Sequence, residues 1–268
     1  MIIENLNGLI RIISEGENKI TNKKREFYSD FVYLGKNDSI DNYEEVGYDI
    51  WKHFVDEVPD SKVEKLESSI EMLYIFDMGG VVTSTAVIDD KFCSKFGMTL
   101  WDFEKFYGKG TSENLFQMCS NGIIDTKEFW KRISERSGIK ITTDWFHWLF
   151  HPVLNEKTVE LIKYLKSQGH RVVCGTNTIS AHYFSHLERG DYSFFDQTYS
   201  SCAMGVSKPD TGFWKLILEA EGFEPKNTVF FDDKKENCEA ARSMGITAVE
   251  FTTTEEAARK IGIELWKN

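Results

Sequence analysis

The feature that most constrains this chain is a set of four short apolar runs that do not alternate with polar residues. They occupy positions 72–76 (MLYIF), 172–175 (VVCG), 228–231 (TVFF) and 246–251 (ITAVEF). A strand with one wet face alternates apolar and polar side chains, whereas a strand covered on both faces reads as a continuous apolar run. Between and after the runs, segments 156–167, 179–188, 212–220, 236–244 and 254–261 carry the amphipathic spacing of helices. Buried strands separated by helices predict an α/β fold with a doubly wound parallel sheet. Ligands of such a sheet are expected at the carboxyl ends of the strands.

Two regions break the rhythm. Positions 89–155 are aromatic and helical in pattern (DFEKFYG, TKEFWKRISER, TDWFHWLF) with no clear strand, and predict a helical cap inserted after the first core strand. The core is then 71–88 plus 156–268. Positions 1–70 carry no motif, repeat or low-complexity tract; the stretch 42–58 reads as an amphipathic helix, which suggests a mainly helical N-terminal extension packed on the core. A separate binding module is the other reading of this extension.

Bulk properties exclude several function classes. With 268 residues, 41% hydrophobic, the chain can bury a sizeable core. No apolar run approaches the ~20 residues that cross a bilayer, so no membrane partner is expected. A net charge of −11 without a basic cluster beyond Lys23-Lys24-Arg25 argues against nucleic acid. Five widely spaced cysteines with no CxxC pair indicate free thiols, and the start lacks a secretory signal pattern; both predict a cytoplasmic protein.

Four polar stations each follow an apolar run or lie in the loop between runs: Asp77 after MLYIF, Thr176-Asn177-Thr178 after VVCG, Lys208 in GVSKPD, and Asp232-Asp233 after TVFF. Each alone also reads as a turn, a loop or a helix cap. Together, in order, they would converge on one crevice. Three carboxylates at one point require a neutralising charge, and a hard cation such as Mg²⁺ takes one or two carboxylates together with phosphate oxygens. A lysine and a Thr-Asn pair beside the cation would complete an anion site, with Asp77 as a carboxylate able to attack phosphorus.

The stretches IFDMGGVV, CGTNT, GVSKPD and VFFDDKKENCEAARSMGITAV resemble the four motifs of the haloacid dehalogenase-like hydrolase superfamily, over about positions 72–263. Positions 213–249 are most similar to the branch that holds sugar-1-phosphate phosphatases and the N-terminal phosphatase domain of soluble epoxide hydrolases. The resemblance implies a Rossmann-like core with a helical cap. It implies Asp77 as nucleophile, Thr176 and Asn177 as phosphate ligands, and Lys208 as the charge that steadies Asp77 and the phosphoryl group. It implies Mg²⁺ held by Asp77, the carbonyl of Gly79 and Asp233, with Asp232 close behind. Asn237 would serve the site by hydrogen bonding. Positions 1–70 lie outside the resemblance.

One departure matters. Where most phosphatases of this superfamily have a second aspartate, two residues after the nucleophile, this chain has Gly79. Glycine keeps the metal-binding carbonyl but has no proton to give the leaving alcohol, an assistance worth typically 10²- to 10⁴-fold. The acid could come from the cap or its surroundings (Asp89, Asp90, Glu113 or His182), or the leaving group could be an anomeric sugar hydroxyl, an acyl or an aryl group that needs little help. Lys109, in the cap loop YGKGTSEN, is a candidate second contact to substrate or a plain surface lysine. The expected activity is a Mg²⁺-dependent phosphatase acting on a small phosphate ester, most plausibly a sugar phosphate. The alternatives are a weak or silent phosphate-ester-binding regulator and, less favoured, a dehalogenase. Oligomeric state is not legible in the sequence.

Overall fold

The computed structural model describes residues 2–6, 9–18, 23–32, 72–85 and 88–266. The chain divides into two compact units, Met1–Ser69 and Ile70–Asn268. In the first, strands β1 (Ile2–Leu6), β2 (Leu9–Asn18) and β3 (Lys23–Val32) form an antiparallel sheet in the order β1-β2-β3. This corrects the helical reading for these residues. Their β-branched and aromatic content favours extended chain. The sequence pair Asn7-Gly8 between β1 and β2 is also the signature of a two-residue hairpin. The helix expected over 42–58 lies outside the described residues.

The second unit is built on a five-stranded parallel sheet in the order β6-β5-β4-β7-β8. Its strands are β4 (Leu73–Phe76), β5 (Arg171–Thr176), β6 (Gln197–Ser200), β7 (Thr228–Asp232) and β8 (Thr247–Glu250). The strand period of two sends neighbouring residues to opposite faces, and both faces are covered. Tyr74, Phe76, Val172 and Phe231 pack with Leu161, Ile162 and Leu165 of helix α6 (Glu156–Ser167). Leu73, Ile75, Val173 and Phe230 pack with Phe213, Trp214 and Ile217 of helix α9 (Gly212–Glu221). Each fully buried Leu, Ile or Phe contributes roughly 1.5–3 kcal/mol, so the sheet is anchored from both sides. Helices α7 (Ser180–Arg189), α8 (Ser201–Met204), α10 (Lys235–Ser243) and α11 (Thr254–Lys260) complete the layers. The sheet is therefore Rossmann-like, and β4 sits centrally where the strand order reverses.

Between β4 and α6 lie five helices: α1 (Asp90–Ser94), α2 (Leu100–Tyr107), α3 (Leu115–Ser120), α4 (Thr126–Ser137) and α5 (Trp145–Trp148). They share an aromatic core of Phe92, Phe96, Phe103, Phe129, Trp130 and Phe146, onto which Ile179 and Ala181 at the start of α7 also pack. Side-chain caps explain where the helices start. Asp89, Thr99, Asn114, Asp125 and Asp144 each accept a hydrogen bond from the first turn of the helix that follows. The segments entering and leaving this helical region run side by side: Ser84 N donates to Val153 O at 2.9 Å, and Asn155 N to Val82 O at 2.8 Å.

Candidate active site

Register brings the stations together. Phe76 is paired with Cys174 on one side and Phe231 on the other, and Asp77 N donates to Phe231 O at 2.9 Å. Asp77 therefore leaves the sheet level with Asp232, the last residue of β7, and with Gly175, one residue before Thr176 at the end of β5.

Lys208 is the centre of the arrangement. It is only 4% exposed, and its Nζ lies 2.9 Å from Asp77 Oδ1, 2.8 Å from Asp232 Oδ2 and 2.9 Å from the carbonyl of Gly175. An ammonium has three N–H donors, and each has an acceptor here. Burial alone would push this ammonium down, yet Asp77 and Asp232 together hold it above its ordinary value. The rings of Phe213 and Phe230 lie 5.5 and 5.3 Å from Nζ and close off the water side.

Each aspartate has a different environment. Asp232 is fully buried: its Oδ2 accepts from Lys208, and its Oδ1 accepts from Lys234 N and Asn237 Nδ2, both at 2.9 Å. Asp77 is buried with fewer donors, and burial pushes its carboxyl up to about 6 against the opposing pull of Lys208; Asp232 adds to the rise. Asp233 reaches solvent, and partial burial with the adjacent Asp232 pushes it up as well. Among the described residues these three form a group that can hold a metal ion, with one ligand oxygen from each lying within 4.8 Å of the others. An all-oxygen set of carboxylates suits a hard cation.

Glycines shape the turn above β4. Gly80 has φ +85°, and a Cβ there would lie 2.5 Å from Asp233 Oδ2, so the third carboxylate fits because this position has no side chain. At Gly79 a Cβ would meet only Thr85 Cγ2, at 3.6 Å, which is ordinary contact. Position 79 has room for a Cβ, so the glycine is not required by a clash at that atom.

Several expectations change. Asn177 does not point its amide toward a ligand: Nδ2 donates to Lys208 O and Oδ1 accepts from Lys208 N, both at 2.8 Å. The two bonds clamp the lysine backbone, so the side chain positions Lys208. Asp232 uses both oxygens on internal donors, which makes it a partner of Lys208 and Asn237 before it is a cation ligand. Lys109 is exposed and paired with Glu104 on α2, and no described contact links it to Asp77. The candidate acids are also committed elsewhere. Asp89 caps α1, Asp90 accepts from Leu100 N at 2.9 Å, and Glu113 pairs with Arg136 at 3.2 Å. Burial pushes the His182 imidazole down to about 3, with His186 and His147 adding to the shift, so it carries no imidazolium proton near neutrality. Thr176, 3% exposed, has its hydroxyl in only a long 3.5 Å contact with Asn177 O, which leaves it free to turn toward an anion.

Sequence reading overlooked a cleft of about 150 Å³ where the two connecting segments meet α5 and α7. Its walls include Thr85, Ile88, Phe92, Phe146, Phe150 and His182. The available signal was position: apolar residues flank both the entry to and the exit from the helical region.

The sequence pattern of the haloacid dehalogenase-like hydrolases matches residues 72–245. The chain is 28% identical over 186 residues to a sesquiterpene phosphatase of Aspergillus oryzae, covering 66% of this chain and 88% of that one. It is 25% identical to a phosphorylated-carbohydrate phosphatase of Thermotoga maritima, over 65% of this chain and 82% of the relative. A solved enzyme of the same family from Bacteroides thetaiotaomicron, complexed with magnesium and inorganic phosphate, superposes with a TM-score of 0.56 at 25% identity, covering 66% of this chain and 92% of that one.

Proposed function

Because the chain belongs to the haloacid dehalogenase-like hydrolases, we propose that it is a Mg²⁺-dependent phosphatase that cleaves a small phosphorylated metabolite through an aspartyl-phosphate on Asp77. The observation that carries this reading is the single buried ammonium of Lys208 shared between Asp77 and Asp232, with Asp233 completing the acidic group. An isolated nucleophile would not need that arrangement. A carboxylate that must meet a dianionic phosphate does.

Asp77, Asp233 and the carbonyl of Gly79 would hold the cation. Bound there, Mg²⁺ supplies positive charge that offsets the crowded carboxylates and the phosphoryl oxygens. The chain's own groups do the rest. Lys208 keeps Asp77 oriented by binding Oδ1, and its charge also favours an approaching phosphate. Thr176 turns its hydroxyl to a phosphoryl oxygen. An oxygen of Asp77 then forms a bond to phosphorus as the ester oxygen departs, and water later attacks the phosphorus to release phosphate. Asp232 and Asn177 act through Lys208, one from its ammonium and one from its backbone.

The named relatives are a sesquiterpene phosphatase and a phosphatase of phosphorylated carbohydrates, which supports a small phosphate ester as the substrate class. The sugar phosphate expected from the sequence is one member of that class. Five free cysteines among the described residues support a reducing, cytoplasmic setting. The test is turnover of p-nitrophenyl phosphate with Mg²⁺: EDTA and Asp77→Asn should each abolish it. Full activity in either condition overturns the reading.

A further inference from the structure

The cleft between the connecting segments and α5 and α7 adjoins the turn that follows Asp77. Thr85 lines it, and Thr85 Cγ2 is the atom a side chain at Gly79 would touch. An ester whose phosphorus sits at Asp77 would therefore extend its leaving group past position 79 into this space. Two independent observations then restrict that group.

The first is the lining. No Asp, Glu, Lys or Arg is among the cleft residues; the walls are mostly apolar and aromatic, Ile88, Phe92, Phe146 and Phe150 among them, and the polar side chains are Thr85, His151 and His182. Phe150 stacks on His182 with centroids 3.9 Å apart and planes at 15°, and Phe146 meets the same ring edge-on at 5.9 Å. A polyol held there would find side-chain partners only in Thr85, His151 and His182, too few for a full set of hydroxyls, and unpartnered ones are costly. An apolar ring needs no such partners. A dry cavity on the order of 150 Å³ holds a benzene ring. The second is the proton inventory. Gly79 offers no acid, Asp89, Asp90 and Glu113 are tied into the helical region, and His151, the other cleft imidazole, is exposed to solvent. An oxygen that leaves beside Gly79 has no carboxylic acid next to it, which a phenol tolerates better than an alkanol.

Resting on the phosphatase reading above, we propose that the substrate is the monophosphate of an apolar phenol, with its ring held in the cleft between Ile88 and the Phe146–Phe150–His182 group. An oxygen of Asp77 forms the new bond to phosphorus as the bond to the ring oxygen breaks. The electron pair departs on that oxygen as phenoxide, which then takes a proton from solvent water. Water next attacks the phosphorus of the aspartyl-phosphate, Asp77 leaves with the bonding pair as carboxylate, and the attacking water gives up its proton to solvent. In sum, aryl phosphate and water become phenol and inorganic phosphate.

The experiment measures kcat/KM of the full chain with Mg²⁺ on two sets of esters. Phenyl phosphate, 2-naphthyl phosphate and free phosphotyrosine have leaving groups of nearly equal acidity and differ in apolar area and charge. n-Hexyl phosphate and ribitol 5-phosphate are alkyl esters, one apolar and one polar. The expected order is 2-naphthyl about tenfold above phenyl, and phosphotyrosine below both. Both alkyl esters should fall about 10²-fold or more below phenyl. Ile88→Asn should lower the ratio of 2-naphthyl to acetyl phosphate turnover about tenfold. A flat aryl series, or an alkyl or sugar ester turned over as well as phenyl phosphate, overturns the proposal and leaves the phosphatase reading standing. Failure on every ester, acetyl phosphate included, removes both. If Ile88→Asn does not fold, the ester series on the unaltered chain still decides.

Discussion

The sheet edge at Asp77 and the cleft near position 79 are built by opposite means. At the sheet edge, charge is buried and paired: Lys208 gives three hydrogen bonds, and Asp232 accepts three. In the cleft no Asp, Glu, Lys or Arg lines the walls, and contact is made by rings, with the His182 imidazole kept neutral by burial. The first arrangement is costly to assemble and fixes atoms to within a hydrogen bond. The second needs only apolar area and can be refitted by exchanging side chains. The difference teaches that the reaction belongs to residues at strand ends, whose positions follow from sheet register. Selection of the alcohol belongs to the connecting segments and helices, whose residues the sheet does not dictate.

Variants can break this division on either side. Lys208→Met should have the largest effect. It strands two buried carboxylates, so turnover should fall by about 10³-fold or more, and the metal-free protein should lose about 3–5 kcal/mol in urea unfolding. A folded, equally stable and active Lys208→Met protein would show that the buried ammonium is not the organising charge. Gly79→Asp follows, because the structure has room for a Cβ there. It should raise kcat by up to about 10²-fold on n-hexyl phosphate and less than about tenfold on phenyl phosphate. An equal change on both would place the proton donor elsewhere.

Stability against pH separates the two regions by sign. The Asp77 carboxyl is held at about 6, above its ordinary 3.8, so the folded state binds its proton more readily, and this group makes metal-free protein more stable as pH falls from above 6 toward 4. His182 acts the other way. Its folded value of about 3 lies below 6.5, so its contribution is complete above pH 6.5 and is lost as pH falls. Asp77→Asn should remove the first slope, and His182→Phe the second, the latter by about 1 kcal/mol at about pH 5.5 in urea titrations with EDTA present. Slopes that do not respond to the two substitutions would detach these groups from the pH dependence. Smallest is Lys109→Ala, which should leave kcat/KM within about twofold, since that lysine pairs with Glu104 on the surface. A larger loss would return it to the substrate site.

The sheet edge was legible in the sequence because strand order turns sequence position into spatial position. Once 72–76, 172–175 and 228–231 are parallel neighbours, Asp77, Thr176 and Asp232 must meet, and continuous apolar runs announce such strands. What was not legible depends on side-chain direction. Asn177 follows Thr176 as a phosphate ligand would, but its amide closes on the backbone of Lys208, a contact 31 residues away that no local pattern encodes. Lys109 was open between a substrate contact and a plain surface lysine, because its loop lies in the helical cap; Glu104, five residues earlier on α2, pairs with it on the surface. The aromatic stretch correctly signalled helices with a shared core, yet which rings would turn outward to the cleft depended on how α5 and α7 pack. In β1–β3 the helical reading extended the pattern of 42–58 to residues whose β-branched content and Asn7-Gly8 pair favour a hairpin.

The most direct measurement is trapping of the covalent intermediate. The full chain is mixed with Mg²⁺ and 2-naphthyl phosphate, quenched in acid during turnover, digested with pepsin at low pH and mapped by mass spectrometry. The account predicts one phosphoryl group on the peptide that contains Asp77, absent in Asp77→Asn. Steady turnover with that peptide unlabelled, or with the label on another residue, would contradict it.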